Sequence, residues 1–199
     1  AWIEGMHVPE EHNRQPSVGD AYEEFAGRLG SPAVTKALDL VAAASARPKC
    51  GFRVDYSQGL ETPLPHLGRL RLLGGFLGAV GGLAVERGDA ESAWDCVLWQ
   101  LRLADSLRDE PLLISQLVRT AILEMGLSVL HQAAPALPSS PELRMALDRH
   151  LDGSDGAAPW VLALDGERLI MGEWLADQPR ERLLAMLQAS GAGELQTVP

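Results

Sequence analysis

The stretch from Pro63 to Pro135 constrains this chain most, because it spells three long apolar helices separated by strong stop signals. Pro65, with its fixed φ and missing N–H, suits the first turn of the first helix. Leu67, Leu70, Leu73, Leu77, Val80 and Ala84 then recur at steps of three and four, so they share one face. Gly74, Gly78 and Gly82 form a second line along the same helix. Each glycine costs a helix interior about 0.8–1 kcal/mol relative to Ala, so the line predicts that another backbone crosses closely there. The uncharged run from Leu72 to Val85 is too short to cross a bilayer, which needs about 20 apolar residues.

Gly88 can close that helix in the left-handed region, and Asp89 can cap the next. The second helix is predicted from about Ala90 to Leu107, with Ala93, Val97, Leu101 and Ala104 inward and Trp94 and Leu98 beside them. Trp99 falls on the opposite side, among Asp95, Arg102 and Ser106. A large aromatic on a polar face makes Trp99, with Arg102, a candidate partner-binding position. The third helix is predicted to follow Asp109, to hold Pro111 in its first turn and to run to about Gln132 before Pro135 stops it. Ile114, Leu117, Val118, Ala121, Ile122, Met125 and Val129 cover a broad arc, and Leu112, Leu123 and Leu130 cover much of the rest. A helix apolar nearly all round is expected to be central. Arg119, buried on such a helix, would need a carboxylate or several carbonyls.

The 199 residues suit one domain. Their 46% hydrophobic but only 5% aromatic composition fits an all-α bundle of about six to eight helices. With 27 acidic against 17 basic side chains the net charge is −10, which repels phosphate backbones and argues against nucleic acid as a partner. Cys50 and Cys96 belong to no CxxC pair and are expected as free thiols, with one disulfide as the alternative.

Around the central trio, residues 1–18 read as an extended arm, residues 19–190 as the helical domain and residues 191–199 as a frayed tail. His7 and His12, near Glu10 and Glu11, have loop spacing too loose for a metal signature, and no metal or cofactor is implied. A short helix from Asp20 turns Tyr22, Phe25, Ala26 and Leu29 inward, and Ser31-Pro32 opens another that carries Val34, Leu38, Val41 and Ala42 on one side. Residues 47–64 form a long, partly apolar loop that delivers the chain to His66. Beyond Pro135, Ser140-Pro141-Glu142 opens a helix with Leu143, Ala146, Leu147 and Leu151 inward, Pro159 opens one to about Leu175 that Gly166, Glu167 and Arg168 interrupt, and Pro179 starts a last short one.

Leu77, Val80, Gly81, Ala84, the Gly88-Asp89 turn, Ala93 and Val97 resemble the spacing of a tetratricopeptide (TPR) hairpin, although Gln100 stands where that repeat has a small residue and no second copy follows. The run FRVDYSQGLETPLPHLGRLRLL, the later GD, EPLLISQLVR and GER resemble an uncharacterised helical family of planctomycete-type bacteria, over about residues 50–172. The resemblance implies an N-terminal membrane anchor upstream of Ala1 and an extracytoplasmic location; a cytoplasmic one stays open. It implies no known activity.

The chain lacks a Gly-rich phosphate loop, GxSxG and HExxH. The expected role is therefore a non-catalytic helical interaction or scaffold domain with a protein partner, as a subunit of a cell-envelope complex. The alternative is an enzyme or small-ligand receptor whose pocket gathers Tyr56, His66, Arg119, Glu167 and Arg168.

Overall fold

The computed structural model describes residues 24–135, 145, 147–148 and 157–189, and the chain divides into two units, residues 1–46 and 47–199. In the first unit, the Ser31 side chain accepts a hydrogen bond from the Val34 N–H, so helix α1 (Pro32–Ser45) starts where the serine cap and the proline place it. None of its residues is buried.

The second unit is an all-α bundle of α2 (Pro65–Glu86), α3 (Ala90–Asp105), α4 (Leu113–Ala133), α5 (Ala158–Ala176) and α6 (Arg180–Ala189), preceded by a 3-10 turn at Tyr56–Glu61. No strand occurs among the described residues. Gly88, at φ 72°, reverses the chain after α2, and the Asp89 carboxylate accepts from the Ser92 N–H at 3.0 Å to start α3. Gly74, Gly78 and Gly81 face Ile122, Met125 and Val129 in rising order, so α2 and α4 run parallel. Gly74 and Gly81 meet Gln100 and Cys96 in falling order, so α3 runs antiparallel between them.

Leu77, Val97, Leu107 and Ile122 are fully enclosed where these three helices meet. Burying each such side chain contributes about 1.5–3 kcal/mol. Four expectations need correction. The close crossing uses Gly74 and Gly81, whereas nothing lies within 4 Å of a β-carbon at Gly82. With 3.6 residues per turn one face of a helix runs i, i+4, i+7, so after Gly74 and Gly78 the small residue required is three positions on, at Gly81. The Pro111 turn precedes α4, which begins at Leu113, and α3 ends at Asp105. On α4, Ile114 and Leu117 are 47% and 55% exposed, because only one side of that helix meets α2 and α3. Finally, α5 runs unbroken through Gly166, where a β-carbon would lie 2.4 Å from the Pro111 carbonyl oxygen: the glycine marks a close approach, not an interruption.

A second close approach ties the 47–64 loop to α5. Gly59 has φ 53°, and a β-carbon there would lie 2.1 Å from Trp174 Cγ, so both backbone and space demand glycine. Arg182 on α6 lies over the Trp174 ring and pairs with Glu61. The arm with His7 and His12, most of the helix opened by Pro141, and the 191–199 tail fall outside the described residues.

Candidate functional site

The polar interior of the second unit is concentrated at one end of the bundle, where the turn between α3 and α4 meets the start of α2. Glu110 is 7% exposed, so its carboxylate requires partners. His66, the second residue of α2, places Nε2 2.9 Å from Glu110 Oε1, and the Ser115 hydroxyl donates to Glu110 Oε2 at 2.6 Å. The Phe52 ring stacks on the imidazole with centroids 4.4 Å apart, which brings the 47–64 loop into the same cluster. Half-buried Tyr56 stands nearby: burial, and then the Glu110 charge, push its hydroxyl above the usual tyrosine range.

Gln116 holds the turn from below. Its Nε2 faces the carbonyl oxygens of Leu107, Arg108 and Glu110 at 3.0, 3.3 and 3.1 Å, so one side-chain amide gathers three backbone acceptors. Leu112 gives α4 no side-chain cap. Glu167 supplies one from α5, accepting from the Leu113 N–H at 2.9 Å and placing negative charge at the positive end of the helix.

This arrangement sorts the residues proposed from sequence. Tyr56 and His66 gather around Glu110, while Glu167 is committed to the start of α4. Arg168 points outward, with its side chain 78% exposed and 3.5 Å from Asp165. Arg119 is buried on α4, under the electrostatic influence of Asp105 and Arg108. Trp99 is half-buried and Arg102 is exposed. Glu110 and Ser115 escaped the sequence reading: a glutamate in the RDEP turn reads as solvated, and only the fold folds it inward.

In chemical terms the order Ser115–Glu110–His66 places the carboxylate in the middle. A serine nucleophile of the triad type needs the imidazole in the middle, to take the hydroxyl proton. Here the carboxylate takes the hydroxyl hydrogen bond and the imidazole lies beyond it, so the cluster joins α2, the turn and α4 without building that relay.

Among the described residues, no group of three or more His, Cys, Asp or Glu is placed to hold a metal ion. Cys50 and Cys96 are both free, Cys50 exposed and Cys96 buried. Although the uncharged run from Leu72 to Val85 is too short to cross a membrane, the whole of α2, like α4, is long and apolar enough to do so by length and composition alone, with a third of each apolar window buried in the structure. No protein-family model matches the chain, and no curated protein or solved structure matches it.

Proposed function

We propose that this chain is a non-catalytic helical interaction module that offers apolar helix faces to a protein partner, as a subunit of a cell-envelope assembly. The carrying observation is α4, a helix apolar nearly all round that leaves Ile114, Leu117 and Leu127 between 45% and 55% exposed. Its parallel neighbour α2 leaves Leu72 76% exposed, and α5 presents Val161, Leu162, Leu164, Leu169 and Leu175 at 41–57%. Single exposed leucines are ordinary, but so many large apolar side chains left open on three helices of one unit fit a contact surface.

The TPR-like reading of α2 and α3 adds to this proposal, since such hairpins serve protein recognition when stacked. Trp99 and Arg102 on α3 are the second part of the proposed contact area. The cell-envelope element rests on the family resemblance.

The test is a photo-crosslinking side chain at position 117, compared with one at Asp39, in the full chain expressed in its source cells. A discrete crosslinked product from position 117 alone, lost on Leu164→Glu or Leu72→Glu with the unfolding midpoint unchanged, is expected. A chain that sediments as a monomer and gives no discrete product from position 117 or 99 would rule the proposal out.

A further inference from the structure

Helix α2 carries two seams, and the core of the second unit uses one of them. Leu67, Leu70, Gly74, Leu77, Gly81 and Ala84 meet α3 and α4. On the other side Gly68, Leu72, Gly75, Ala79, Gly82 and Glu86 follow one another at steps of four and three. That is the heptad spacing with which one helix lays a continuous stripe against a partner helix. Beyond the helix backbone, no described atom lies within 4 Å of a β-carbon at Gly68, Gly75 or Gly82. The crossing with α4 accounts for Gly74 and Gly81 but not for these three, and glycine is second only to proline in disfavouring a helix interior. In their midst Leu72 is 76% exposed, the most exposed large apolar side chain among the described residues.

The outer seam complements itself when it is reversed. Laid antiparallel on a second α2 and centred between Gly75 and Ala79, it sets Gly75 against Ala79, the Leu72 knob over the gap at Gly82, and Glu86 against Gly68. Arg69 and Arg71 flank Gly68 on either side, so each end of the pair brings a carboxylate between two guanidinium groups. Exposed Arg87, past the end of the helix, has room to turn into solvent. A parallel pair would instead set Leu72 on Leu72 and each arginine on its own copy.

We infer that the outer face of α2 is where two copies of this chain join, as an antiparallel helix pair related by a two-fold axis. This rests on the reading of exposed apolar faces as contact surfaces, and it gives one of those faces its occupant. Glycine at every second seam position lets the two backbones approach closely, and Leu72 fills the space that the glycine opposite leaves. The charges at the ends fix the direction of pairing, because only the antiparallel arrangement brings Glu86 to Arg69 and Arg71.

Sedimentation of the purified full chain across the micromolar range tests it, and a reversible dimer is expected. Leu72→Glu should sediment as a single chain with its unfolding midpoint, measured on the single chain, unchanged, since that side chain stands in solvent when the chain is alone. Gly75→Ala separates pairing from helix stability: the added methyl groups hold the helices apart and weaken the dimer roughly tenfold, while the single chain becomes harder to unfold. The double variant Arg69→Glu, Arg71→Glu and the variant Glu86→Arg should each pair poorly alone and form a mixed dimer when combined. A dimer that Leu72→Glu and Gly75→Ala leave unweakened, or charge variants that fail to pair when mixed, overturns the inference. If the pure chain stays single throughout that range yet still gives its crosslinked product from position 117 in source cells, the pairing alone is overturned and the wider contact reading stands.

Discussion

Gln100 Nε2 donates to the Gly74 carbonyl oxygen, 3.0 Å away, across the meeting point of α2, α3 and α4. Room for that side chain comes from glycine on two helices: a β-carbon would lie 3.4 Å from Gln100 Nε2 at Gly78 and 3.2 Å from Gln100 Cβ at Gly126. A bulky polar residue therefore fills a crossing where a small residue would leave a hole, and the crossing tolerates little added volume.

Alanine substitutions along α2 should consequently have opposite signs. At Gly81 a β-carbon would lie 2.8 Å from Val129 Cγ1 and 3.1 Å from Cys96 Cβ, so Gly81→Ala is expected to cost about 1–3 kcal/mol by overpacking. At exposed Gly75 nothing lies within 4 Å, and Gly75→Ala should stabilise by about 0.5–1 kcal/mol through helix propensity alone. Urea midpoints at unchanged m-value measure both. Equal signs would refute the crossing.

The Glu110 cluster makes a second quantitative claim. Ser115→Ala strips a hydrogen bond from a buried carboxylate oxygen and is expected to destabilise by about 1–3 kcal/mol. His66→Ala should cost less in a Glu110→Gln background than in the wild type, because the 2.9 Å contact has then lost its charge. Strictly additive losses in that double-mutant cycle would mean that the imidazole and the carboxylate do not interact.

Glu167 and Arg168 are neighbours in sequence with unlike roles. Glu167→Ala removes the acceptor of the Leu113 N–H and the charge at the head of α4, at an expected cost of about 1 kcal/mol. Arg168→Ala, with its side chain largely in solvent, should change stability by less than about 0.5 kcal/mol. Chemical denaturation of the two variants side by side distinguishes a capping role from a shared binding role, which would make both neutral.

These contrasts explain what was legible in the sequence. The helices were, because Pro65, the Gly88-Asp89 turn and Ser31-Pro32 are local signals whose chemistry acts within a few residues. The inward faces of α2 and α3 followed from periodicity, with Leu77, Ala93 and Val97 fully buried. Helix α4 defeated the same reasoning: with apolar residues on every side, its pattern could not say that Ile114 and Leu117 would face outward. The polar cluster was half legible. His66 and Tyr56 stood out by type, but their partner Glu110 lies 44 residues from His66, and only tertiary packing brings the two together.

The two thiols should behave oppositely toward alkylation. Cys50 is exposed, whereas Cys96 is buried and burial, with Asp95 and Asp89 behind it, pushes its thiol up to about 12. Since the thiolate is the nucleophile, one equivalent of reagent should couple to the native chain at pH 8, and a second only in denaturant. Rapid loss of both thiols under native conditions would contradict the burial of α3.

Acid titration offers a test in which two aspartates on one helix end move in opposite directions. Hydrogen bonds from Ser92 hold Asp89 below the ordinary 3.8, so its folded value lies under its unfolded one. Its stabilising contribution is complete above the unfolded value and disappears as pH falls through the folded one. Asp95 is shifted up, first by burial and then by Glu91 and Asp89, so its ionised form is disfavoured in the folded chain. That penalty is absent below 3.8 and complete once pH exceeds the raised folded value. Asp95→Asn should therefore be more stable than the wild type at pH 7, with the advantage vanishing toward about pH 3, whereas Asp89→Ala should be less stable at pH 7 and converge with the wild type in acid. Unfolding midpoints of the three proteins at the two pH values decide the matter. An Asp95→Asn advantage that persists unchanged in acid would show that its origin is packing rather than charge.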